Sequence, residues 1–148
     1  MSRFRIALSV LLVIFISQLA FAGDGAAKLS DHLKKYTNDM RAEVKAADMP
    51  AEKRRIMNES LQDLNTALQR VEKMPAVSQE DREGINRLQK MVGDQLDELN
   101  GKNGMQAVQD NELNDYANYI QQNLEQADKY VTISITTVLL VVIILLLI

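Results

Sequence analysis

The last eighteen residues, VTISITTVLLVVIILLLI (131–148), contain no charged side chain. Such a stretch leaves a chain few fates, because water cannot solvate it well and something must cover it. As a helix it reaches about 27 Å, close to the hydrocarbon thickness of a bilayer at about 30 Å. Its many β-branched residues suit a strand. A lone strand in lipid, however, leaves its backbone groups unpaired, so a single span has to be helical. Lys129 and Tyr130 stand just ahead of it, where a snorkelling amine and an amphipathic ring belong. The segment therefore reads as a C-terminal transmembrane helix, with Val131, Ile135, Leu139, Ile143 and Ile148 as membrane-anchor residues. Thr132, Ser134, Thr136 and Thr137 border the interface on this reading. A helix–helix contact within the bilayer is the alternative use of their hydroxyls.

Two other fates are weaker. A clipped lipid-anchor signal needs small residues and a spacer upstream, where a periodic helix stands instead. A buried core helix needs apolar surroundings that the rest of the chain does not offer.

The other end sets the topology. Residues 1–22, MSRFRIALSVLLVIFISQLAFA, carry a basic start (Arg3, Arg5), an apolar run from Ile6 to Ile16 and the small-x-small triplet Ala20-Phe21-Ala22. That is the three-part pattern of a secretory signal peptide, cleaved after Ala22 or kept as a signal anchor. Either way the two arginines stay cytoplasmic and residues 23–130 are exported. The expected location is a bacterial-type inner (cell) membrane, crossed once, with the helical domain in the periplasm or extracellular space.

The exported part carries 15 basic and 20 acidic side chains, a net of −5, which disfavours nucleic acid and anionic headgroups as partners. It contains no cysteine, so its core has to hold it without disulfides, and thiol chemistry and the usual zinc sites fall away.

After a short lead, GDGAA, apolar residues fall at Leu29, Leu33, Tyr36, Met40, Val44 and Ala47 with helical spacing. Pro50 opens a second helix, since proline lacks only a donor that a first turn leaves free; Met57, Leu61, Leu64, Leu68 and Val71 form its stripe. Pro75 ends that region. Ser78 with Asp81 three residues on is a capping-box-like start for a third helix, striped by Ile85, Leu88, Val92, Leu96 and Leu99. Gly84 and Gly93 weaken it by roughly 1 kcal/mol each. NGKNG (100–104) makes the turn, and a fourth helix from about Gln106 carries Leu113, Tyr116, Ile120, Leu124 and Ala127. With no glycine or proline between Gln106 and Ile148, this helix and the tail are expected to form one nearly continuous rod.

Four amphipathic helices with short links predict an all-α fold: an up-down-up-down four-helix bundle, coiled-coil-like in its heptad stripes, followed by the transmembrane helix. Residues 27–47 carry a net of +2 and residues 106–128 a net of −5, so the first and fourth helices attract. In architecture alone the arrangement resembles the extracytoplasmic sensor half of a chemoreceptor, although no signalling region follows Ile148 in this sequence.

Chemistry is sparse. His32, the one histidine, lies on the shoulder of its apolar stripe; as a general base it would need an orienting acid and a cleft, and Asp31 beside it is expected to point about 100° away around the helix. Asp94, Asp97 and Glu98 form a solvated acidic face with no Glu-x-x-His motif beside it. Asn58-Glu59-Ser60 spells a glycosylation sequon by chance. No catalytic, cofactor-binding or metal residues are assigned. The expected function is a non-enzymatic, membrane-anchored protein-interaction or scaffold module, partnered by the membrane and by a protein or a second copy. The amide-rich fourth helix offers Tyr116, Tyr119 and Gln122 as the candidate partner surface. The alternative is a sensor bundle that binds a small ligand and relays through its transmembrane helix to a partner.

Overall fold

The computed structural model describes residues 29–148, and the signal-peptide reading of residues 1–22 lies outside the described residues. Five α-helices occur in this part: α1 (Leu29–Ala46), α2 (Pro50–Glu72), α3 (Gln79–Asn100), α4 (Leu113–Glu125) and α5 (Ile135–Leu147). No strand occurs among the described residues. The apolar stripes do what their spacing predicts. Leu33, Met40 and Val44 of α1, Met57, Leu61, Leu64, Leu68 and Val71 of α2, Ile85, Leu88, Val92 and Leu99 of α3, and Leu113, Ile120 and Leu124 of α4 are all buried in one core. Each such leucine contributes about 1.5–3 kcal/mol through burial.

Polar residues fix the antiparallel register of α1 against α4. The Ser30 N–H donates to Asp128 Oδ2 at 3.3 Å, Lys34 pairs with Glu125 at 3.1 Å, Gln121 donates to Asn38, and Arg41 reaches Asn118. Residue numbers fall along α4 as they rise along α1, so the helices run in opposite directions with their outer ends at one pole. The Lys34–Glu125 pair is half-exposed and worth little by itself, and amides and the Asp128 carboxylate supply the other contacts named here. Asn58 and Asn100 exchange hydrogen bonds between α2 and α3.

Helix ends follow local chemistry. Pro50 occupies the first turn of α2. Ser78 caps α3 by accepting from the Asp81 N–H at 3.1 Å, and Gly101, at φ 67° in the left-handed region, closes it.

Two expectations fail in the last third. The fourth helix does not begin near Gln106: residues 102–109 form a loop, and α4 follows a 3-10 turn at Asp110–Glu112. Arg54 of α2 holds the loop, donating to the Leu99 carbonyl in the last turn of α3 and, at 2.6 Å, to the Val108 carbonyl, which a helix from Gln106 would have satisfied internally. Nor is there a continuous rod. After α4 come a 3-10 turn at Ala127–Lys129 and non-helical residues 131–134, and Ser134 then caps α5. The break uses neither glycine nor proline. The run VTISITT is β-branched, and its hydroxyls compete for backbone hydrogen bonds, which weakens a helix from within.

The tail helix consequently has 13 residues rather than 18 and spans about 20 Å. No helix among the described residues is long and apolar enough to cross a membrane. Instead α5 folds back and packs chiefly along α2. Val131, Val138 and Val141 join the core, with Ile133, Leu140 and Ile144 packed against it. α2, whose buried residues also include Ile56 and Ala67, is the main neighbour that supplies apolar surroundings to α5.

Candidate functional site

The start of α3 and the start of α5 meet at Asp81. In a complete capping box this carboxylate would return to the Ser78 N–H. It turns toward the start of α5 instead, accepting from the Ser134 N–H at 2.9 Å and from the Ser134 and Thr137 hydroxyls, both at 2.5 Å. Ser134 Oγ also accepts from the Thr137 N–H at 3.4 Å, so one hydroxyl caps α5 and grips α3. Asp81 is 6% exposed. Burial pushes its carboxyl upward, but the hydrogen bonds from Ser134 and Thr137 outweigh that and hold it below the usual carboxylate range.

Gly84 lies one turn further along α3. A Cβ built there would stand 2.5 Å from the Thr132 carbonyl oxygen and 2.8 Å from Ile133 Cγ1. Only glycine admits the backbone of residues 132–133 so close. Asp81 and Gly84, at i and i+3, therefore form one seat for residues 132–137.

The membrane-anchor residues divide between two faces. Val131 is buried and Leu139 half-buried, whereas Ile135, Ile143 and Ile148 are exposed, together with Leu147. Thr132 and Thr136 are exposed, while Ser134 and Thr137 bond Asp81 rather than another span. Tyr130, ahead of the segment, is 65% exposed.

The candidate partner surface is split as well. Tyr116 is buried, its hydroxyl donating to the Gln95 carbonyl at 2.8 Å and to Glu98 at 3.2 Å; burial first, then Glu98, raises its pKa. Tyr119 and Gln122 face solvent, and the Tyr119 ring stacks at a tilt on Tyr116, centroids 5.6 Å apart. Tyr116 thus serves as a support beneath an exposed Tyr119.

Other polar groups have structural employment. Lys53 Nζ donates to the Val44 carbonyl at 3.0 Å and to Asn114 at 2.8 Å, tying off the end of α1. It adjoins an open groove of about 430 Å³ lined by Arg41, Lys45, Asn114 and Asn118. The acidic face is engaged, with Asp94 bonded to Lys90, Asp97 to Asn103 and Glu98 to Tyr116. His32 is half-buried, and burial lowers its pKa against the opposing pull of Asp31. No group of three or more His, Asp or Glu positioned to hold a metal ion occurs among the described residues. Comparison with protein-family models, with curated proteins and with solved structures finds no match to this chain.

Proposed function

We propose that the chain is a non-enzymatic, membrane-anchored extracytoplasmic module, in which residues 131–148 attach a helical bundle to a bilayer and the bundle engages a protein partner. One observation carries the anchoring. An eighteen-residue uncharged segment keeps Ile135, Ile143, Leu147 and Ile148 at the surface even when folded against protein. An apolar face of that kind favours a nonaqueous partner. Lys129 and the exposed Tyr130 sit where an interface would accept them. Tyr119 and Gln122, on the outward side of α4, supply an aromatic and an amide for protein contact.

The sensor reading draws less support. The hydroxyls of Tyr36 and Tyr116 are committed to the backbone carbonyls of Ser60 and Gln95, and the break at residues 127–134 removes a rigid relay. Alkaline extraction of membranes from cells expressing the full chain tests the anchor. The signal-processed full chain should stay with the lipid, and a signal-processed chain ending at Tyr130 should be released. Release of both would overturn the proposal.

A further inference from the structure

Docking on protein and insertion into lipid are two ways of taking one apolar surface out of water, and the docked arrangement is incomplete. Val138 and Val141 are covered, but Ile135 is 37%, Ile143 43%, Leu147 70% and Ile148 40% exposed. A bilayer would cover all of them. The docked position is nevertheless a built one. Gly84 leaves room for the Thr132 carbonyl that any side chain would displace, and Asp81 takes three hydrogen bonds from Ser134 and Thr137. Two independent features on one turn of α3 thus serve the same segment.

We propose that residues 131–148 are a reversible anchor: the seat on α2 and α3 stores the segment, the Asp81 clasp closes it, and a lipid bilayer is the competing occupant. This rests on the membrane-anchor reading above. Opening the clasp frees residues 131–134, non-helical in the seat, to extend the helix. Residues 131–148 then gain the span, about 27 Å, that the 13-residue α5 lacks. The freed groups have alternative partners. The hydroxyls can bond carbonyls one turn back in the tail, and Asp81 can complete the capping box with the Ser78 N–H. The seat is therefore poised to release the segment without leaving buried polar groups unmatched.

The test uses the full chain, signal-processed, purified in mild detergent and diluted into phosphatidylcholine vesicles, with the floating fraction as readout. Gly84→Ala raises the helix propensity of α3 while its methyl displaces Thr132. It should increase partition into vesicles at least about tenfold, the lower end of what the loss of one hydrogen bond to a charged group gives. The pair Ser134→Ala with Thr137→Val removes the hydroxyl donors and should shift partition in the same direction. Gly93→Ala brings the same propensity gain into open space, with nothing within 4 Å of its Cβ, and should leave partition unchanged. Circular dichroism should show that each variant keeps its helices. Should Gly84→Ala and the double variant both float as the parent does, the clasp proposal falls and the anchor reading stands. A shift by Gly93→Ala equal to that of Gly84→Ala would trace the effect to helix propensity and also overturn the clasp. If no chain floats, the anchor reading fails and the proposal goes with it.

Discussion

Asp81 and Gly84 illustrate how much a single residue's meaning depends on what lies opposite it. Ser78-x-x-Asp81 reads as a cap, and half of the cap forms, the Ser78 hydroxyl accepting from the Asp81 N–H. The other half is diverted to Ser134, 53 residues away. Gly84 reads as a weak point of α3 and is instead a point of close approach. The Asp81 clasp has a defined pH dependence. Its folded-state pKa lies below the ordinary carboxylate value of about 3.9, so its contribution is complete above that value and is lost as pH falls through the lower folded one. Acidification from pH 7 to about 5 should leave the clasp closed. A carboxyl titration followed by NMR should place the Asp81 midpoint below the ordinary value; a midpoint at or above it would contradict the hydrogen-bonded carboxylate.

At the scale of elements, α1 to α3 follow from their stripes and caps, and the departures cluster after Asn100. Arg54 explains the first of them. Its guanidinium reaches the Leu99 and Val108 carbonyls as well as Asp110 at 3.3 Å. The pair with Asp110, whose side chain is 71% exposed, is worth little, whereas a charge-assisted bond to a carbonyl contributes about 1.5–3 kcal/mol net when buried, less for a side chain that is 26% exposed like that of Arg54. Arg54→Ala should therefore lower stability to urea by about 2 kcal/mol, and Asp110→Ala by less than about 0.5 kcal/mol. Equal losses would show that the ion pair, not the carbonyl clamp, orders this loop. The loop itself was legible only as the turn NGKNG. Nothing in QAVQD prevents a helix, and the residue that holds it open lies on α2.

The described part of the molecule is a helical bundle whose stability rests on one shared core. Leu64 is 0% exposed at its centre. Leu64→Asp buries an unpaired charge at a cost of several kcal/mol, comparable with a typical total of about 5–15 kcal/mol. The full chain carrying it should lose its cooperative thermal transition by circular dichroism; a retained, sharp transition would mean that the core is not organised around α2. The same core offers its outer side to α5, which covers part of the uncharged tail.

The sequence by itself determined the helical character of the described chain, three helix starts or stops at Pro50, Ser78 and Gly101, the core stripes and the antiparallel meeting of α1 with α4. These are written in residues three or four apart, within reach of one turn, and in the charge of whole helices. Only the tertiary structure decided where the tail lies, why its helix begins at Ile135 and what Asp81 and Gly84 are for. Those outcomes join groups 53 and 56 residues apart, and a β-branched, hydroxyl-bearing run carries no local signal for which distant carboxylate will receive its hydrogen bonds.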